Sequence, residues 1–317
     1  MPVPAVAVVA PLTGPRTAAG IVLLTEVDRI RDGAPGTADW QVFHETPGVG
    51  HAVASGDYTA VVGHADPSVI DGALDAYQQA GLTCLLPLLP GRPPALSWAP
   101  DETRLARILA DGAVALGATA LTVAYDDDHR SAALAALLAT RARATGLTVR
   151  TGEERTADEQ TADEWTGDVQ SGDARSGASG AVLALLAPQH RLPALLRALE
   201  AGRWQAVLVV ADCGLPSFDA LVTAAVRLPV WAVHPEPCLV RRTRAAVASL
   251  AAALAENPSL RGDRLAARIV SRSVLLLGPG GGVLGEGRRV SRLSAVCPIR
   301  AAAREEALAG PRTRAAV

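Results

Sequence analysis

The chain contains no lysine; all 30 of its basic residues are arginine. Schiff-base chemistry, a pyridoxal-phosphate anchor and a phosphate-loop lysine are excluded together. Asn257 is the single asparagine, and aromatic residues make up 3% of the chain. An excess of charge of either sign is lacking too. A net charge of −2 and a pI near 6.3 leave no electrostatic footprint for nucleic acid or an anionic membrane. Cysteine is sparse: Cys84, Cys213, Cys238 and Cys297 lie far apart, without C-x-x-C spacing. That supports neither a zinc site nor a disulfide framework, and a reduced compartment explains them most simply. No apolar run approaches the roughly 20 residues a bilayer span requires, so no membrane insertion is expected.

What is present is a large apolar content. Of 317 residues, 49% are apolar and 20% charged, enough for a sizeable core and too apolar for global disorder. Short apolar runs read as buried strands: Ala5–Ala10, Trp40–Phe43, Ala60–Gly63, Thr83–Leu86, Ala120–Tyr125, Leu147–Val149, Ala181–Leu186, Ala206–Ala211 and Val230–Val233. Amphipathic stretches lie between them: Ala18–Ile30, Ser68–Ala80, Glu102–Leu116, Arg130–Thr145, Arg191–Ala201 and Val240–Glu256. Continuous apolar strands alternating with helices predict parallel sheets covered on both faces. About nine strands exceed one comfortable sheet, so the expected fold class is α/β with two doubly wound lobes.

Two segments need separate treatment. Pro2 to Leu12 is apolar, but no basic residue precedes it and the first arginine is Arg16. It reads as a strand and turn rather than a signal peptide, and with this N-terminus the expected location is cytoplasmic. From Glu153 to Gly180 the chain repeats TADE and carries a net charge of −6. This low-complexity run reads as a mobile acidic loop, either a neutral insertion or a docking segment for a basic partner.

The run Ala5 to Gly20, AVAVVAPLTGPRTAAG, is an apolar strand entering Pro11-Leu12-Thr13-Gly14-Pro15 and then a helix. Val61-Val62-Gly63-His64 follows, with its helix and Gly81-Leu82-Thr83. Next come Ala99-Pro100-Asp101-Glu102 and a strand ending Tyr125-Asp126-Asp127-Asp128. In order and spacing these resemble type I periplasmic binding proteins of the branched-chain amino acid branch, well over residues 5–150 and moderately over 181–235. The resemblance implies two lobes closing on a small molecule in a cleft. It divides the chain into 1–118 with 236–275 and 119–235 with 276–300, with an acidic loop at 153–180 and a C-terminal tail at 301–317. Chain crossings are expected near Gly117–Thr119 and Val233–Glu236.

The resemblance also places ligand contacts. Asp66 and Ser68 match the family's serine-rich loop, which holds the amino acid's carboxylate; Ser68 is either a ligand hydroxyl or a helix N-cap. Pro67 in this loop has no N–H to give. Leu88 and Leu89 match the next loop, where small and hydroxyl residues are normal. Arg130, beside His129, stands near the family's aromatic cover, either as a bidentate clamp for an acid or as a solvated helix start. Asp212 matches an acidic residue that meets the ligand's amine, or caps a helix. His234 and Glu236, flanking Pro235 at a strand end, stand either in the cleft or at the lobe hinge, the hinge being the favoured place. No metal site is expected at Asp126, Asp127 and Asp128, because adjacent residues point different ways. Gly278–Gly282 lacks the lysine and helix of a phosphate loop, so no cofactor is expected.

No nucleophile, base or metal constellation has a telltale spacing, which leans against an enzyme. Triads assembled from distant positions keep catalysis open. The expected function is non-catalytic binding of an apolar or acidic metabolite. The alternatives are a cytoplasmic sensor that passes closure to a protein partner, and a repurposed member with an enzymatic or structural role.

Overall fold

A computed structural model describes residues 3–153 and 181–272, with breaks at 92, 101, 127–128, 200–203, 213–214, 216, 226–228 and 234–237. Three short strands at 276–277, 283–284 and 296–298 complete it. The chain divides into two compact units, Met1–Asp101 with Glu236–Leu293 and Glu102–Pro235 with Ser294–Val317.

In the first unit, β1 (Ala5–Ala10), β2 (Asp39–His44), β3 (Ala60–Gly63), β4 (Thr83–Pro90) and β5 (Leu96–Ala99) form one parallel sheet in the order β2-β1-β3-β4-β5. Helices α1 (Thr17–Gly33), α2 (Val49–Ala54) and α3 (Pro67–Gln79) connect successive strands. Strand β1 is interior to the sheet and buried from Val6 to Ala10, so this apolar run is part of the core. One face packs Val9, Val61, Ile70, Tyr77, Leu86 and Leu89 together.

The chain returns to this unit with α8 (Leu239–Glu256) and α9 (Gly262–Arg272). Arg244 donates from Nε and Nη2 to the buried Glu26 of α1, tying α8 to α1. Arg242 Nε donates to the Pro87 carbonyl, and Thr83 Oγ1 to that of Gly262.

In the second unit, α4 (Glu102–Ala115), β6 (Ala120–Tyr125), α5 (His129–Ala144), β7 (Thr148–Glu153), β8 (Ala181–Leu186), α6 (Leu192–Ala198), β9 (Ala206–Val210), α7 (Ser217–Ala224) and β10 (Val230–Val233) follow one another. Strand β13 (Val296–Pro298) joins antiparallel at the edge, giving the order β13-β10-β9-β8-β6-β7. One core face unites Leu105 and Leu109 of α4 with Leu134 and Leu138 of α5 and Leu121 and Val123 of β6. The other carries Leu195, Trp204, Val207 and Leu221.

All nine expected strands are present, in two sheets. Three differences have physical causes. The first concerns α4, which buries its apolar stripe against α5 and β6 and so belongs to the second unit. The division therefore falls after residue 101, not near Gly117–Thr119. The second concerns β4, which runs on to Pro90 where a loop was expected. Its register with β5 shifts between Leu86 and Pro90, a slip that accommodates Pro87 without its N–H. The third is that α2, β5 and α9 join the expected elements. The acidic stretch beyond Glu153, the glycine run at 278–282, His234, Glu236 and the 301–317 tail lie outside the described residues.

Candidate functional site

In open α/β sheets, ligands bind outside the carboxyl ends of the strands, where successive connections leave in opposite directions. The first sheet reverses between β1 and β3, because β2 lies on one side of β1 and β3 on the other. The second reverses between β6 and β8 in the same way. The loops leaving these four strands are therefore the candidate ligand contacts.

At the first switch point, every backbone N–H of the loop after β3 has a hydrogen-bond partner. His64 N donates to the Val9 carbonyl at 2.9 Å. Ala65 N donates to both Glu45 carboxylate oxygens at 3.0 Å, and Asp66 N donates to Oε1 at 3.0 Å. Pro67 has no N–H, and Ser68 N donates to Asp66 Oδ1 at 2.9 Å. Ser68 Oγ gives its proton to the same Asp66 oxygen at 2.7 Å. Asp66, not Ser68, is thus the N-cap of α3.

Glu45 directly follows β2, and its side chain is 3% exposed. His64 lies beside it, fully buried, at a φ of 62°. Its Nδ1 is 3.1 Å from Glu45 Oε1 and its Nε2 is 3.0 Å from the Tyr77 hydroxyl. An ionised carboxylate only accepts, so His64 Nδ1 donates to Glu45, and the Tyr77 hydroxyl pairs with Nε2. Burial, with Cys84 and Glu45 nearby, raises the Tyr77 pKa and keeps the phenol protonated.

The loop after β1 closes the cluster. Leu12 N donates to His44 Nδ1 at 3.2 Å, which leaves His44 Nε2 to donate to Thr13 Oγ1. Arg16 Nη1 bonds Asp66 Oδ2 across the switch point. Partial burial pushes the Asp66 carboxyl up, but the two Ser68 hydrogen bonds and Arg16 together hold it below its ordinary value. A cavity of about 280 Å³ lies beside this loop, lined by Pro47, Gly48, His51, Ser68 and Val69 among others.

The second switch point is also bridged by an arginine and an aspartate. Arg191, at the start of α6, places Nη1 2.5 Å from each oxygen of Asp126, which follows β6. Asp212, after β9, donates its N–H to Gln189 Oε1 at 2.7 Å, and Gln189 Nε2 returns a bond to the Asp212 carbonyl at 3.1 Å.

The residues expected at a site separate accordingly. Asp66 and Ser68 meet at the first switch point. Leu88 and Leu89 lie within β4 rather than in a loop, 6% and 2% exposed. Arg130 and His129 open α5; Arg130 Nε is 3.2 Å from Glu102 Oε1, so the proposed acid clamp already holds a carboxylate. The His129 side chain lies outside the described residues, as do Asp127 and Asp128. Asp212 is 6% exposed, with its backbone held by Gln189. Reasoning from the sequence missed Glu45, Arg16, Gln189 and Arg191. The available signal was position alone: each directly follows or lies within a few residues of a strand's carboxyl end. Among the described residues, no cluster of three potential metal ligands occurs, and no helix is long and apolar enough to cross a membrane.

No protein-family model matches the chain, and no curated protein sequence does. Solved structures do. A leucine-binding protein, LivK, from Thermotoga maritima superposes with a TM-score of 0.68 at 14% identity, over 85% of this chain and 87% of that one. A possible leucine/isoleucine/valine-binding protein from Rhodopirellula baltica gives 0.66 at 12% identity, over 94% and 97%. An ABC transporter solute-binding protein from R. palustris, in complex with 4-hydroxybenzoate, gives 0.65 at 12% identity, over 84% of each chain. The chain therefore has the α/β fold that these substrate-binding proteins share, with two parallel-sheet units, the fold of type I periplasmic binding proteins.

Proposed function

We propose that this chain is a non-catalytic binding protein whose two lobes close on a small, predominantly apolar molecule bearing at most one acidic group. The carrying observation is that structures of the same fold hold leucine or 4-hydroxybenzoate, while the donors that would hold an α-carboxylate here are already engaged. The amides at 65 and 66 hold Glu45. An acid reaching Arg130 must displace Glu102 from its guanidinium. A free amino acid also brings an ammonium group that needs an acidic partner, and burying it without one costs on the order of several kcal/mol. Lobe closure then shifts an open–closed equilibrium in proportion to the ligand's preference for the closed state.

Thermal shift against a metabolite panel, followed by calorimetry, tests this reading. Leucine, isoleucine and valine are expected to give weak or no binding, and an apolar or aromatic monoacid the larger shift. Micromolar or tighter leucine binding removes the first expectation. A panel without a single stabilising compound removes the reading.

A further inference from the structure

The concavity made by the loop after β3 is an anion site with its anion built in. Three donors converge on one carboxylate: Ala65 N, Asp66 N and His64 Nδ1, all within 3.1 Å of Glu45 Oε1. Glu45 Oε2 takes a further bond from Ala65 N at 3.0 Å. The group so held is 3% exposed and its imidazole neighbour 0%. Successive backbone N–H groups around a left-handed residue form a recurrent cradle for anions, and His64 supplies that residue. Helix packing alone does not demand this arrangement, because the α3 N-terminus already has Asp66 as its cap.

We propose that Glu45 is a specificity-determining residue. Its carboxylate fills the anion cradle at the first switch point, so this cradle admits no ligand carboxylate while Glu45 is present. The remaining polar groups of the loop are mostly acceptors. Ser68 Oγ has given its proton to Asp66 and keeps its lone pairs. Asp66 accepts from Ser68 and Arg16. A ligand group placed here is therefore neutral or a hydrogen-bond donor. The consequence for ligand choice rests on the binding-protein reading; the filled cradle does not.

Replacing Glu45 by alanine leaves three convergent donors around a space that a small carboxylate fits. The test uses the full chain as wild type, Glu45→Ala and Glu45→Gln, with sodium acetate against sodium chloride at equal ionic strength. Glu45→Ala is expected to show saturable acetate-dependent shifts of the Ala65 and Asp66 amide resonances. Its melting temperature should rise by about 3 °C at acetate tenfold above its dissociation constant. Wild type and Glu45→Gln, whose side chains occupy the space, are expected to show neither. A folded Glu45→Ala without an acetate response overturns the proposal. So does a wild type whose Ala65 and Asp66 amides move with acetate, and that arm decides the matter even where Glu45→Ala does not fold. A wild type that binds nothing in the metabolite panel removes the proposed function and leaves the acetate outcome unchanged.

Discussion

The two units solve one topological problem with the same pair of residue types and different burial. Each sheet reverses direction beside its first strand, and each reversal is spanned by an arginine and an aspartate. In the first unit the arginine and aspartate side chains are 45% and 26% exposed. In the second they are 35% and 3% exposed. The shared pattern therefore does not fix the energetics. A carboxylate removed from water depends on its partner, whereas one in contact with water does not.

The largest expected effect is in the second unit. Arg191→Ala leaves the buried Asp126 without its guanidinium and should lower unfolding free energy by about 3 kcal/mol, read from the urea midpoint. Next is Gly63→Ala in the first unit. Gly63 has a φ of +133°, and an added Cβ would lie 2.0 Å from the Val9 carbonyl oxygen. That carbonyl accepts the His64 N–H, so the strand end must shift, and a loss of about 2–3 kcal/mol is expected in the same assay.

Arg16→Ala should cost less than about 1 kcal/mol, because its ion pair is solvated. Equal losses for Arg16→Ala and Arg191→Ala would break the comparison. The smallest effect is a pH dependence. Asp66 is held below its ordinary value of 3.8, so its contribution is complete above that value and is lost as pH falls through the lowered one. Wild type should therefore lose more stability than Asp66→Asn between about pH 5 and 2. Parallel acid titration curves for the two would remove the contribution.

The fold was largely legible in the sequence because parallel strands buried on both faces leave uninterrupted apolar runs. AVAVVA, AVVG and AVLALL carry that signal unaided. Strand β5, reading LSWA after a proline pair, and the six-residue α2 are too short for periodicity to register. The β4 extension was hidden by Pro87 and Pro90, which read as loop until a register slip accommodates them. The site was less legible. Asp66 and Ser68 could be placed, but the partner that decides the loop's chemistry, Glu45, lies 21 residues before Asp66, just past the end of β2. Nothing in local spacing joins those positions; only the pairing of β1 with both β2 and β3 does.

Glu45 also sets the terms on which any molecule competes for its loop. A carboxylate fixed to the end of β2 acts at an effective concentration that no dissolved metabolite is expected to match. The loop is therefore ordered in the free chain as it would be around a bound acid, and its disorder entropy is not a cost left for a ligand to meet. A single codon change at 45 converts a permanently satisfied loop into a vacant receptor, without a new fold, a new loop or a new donor.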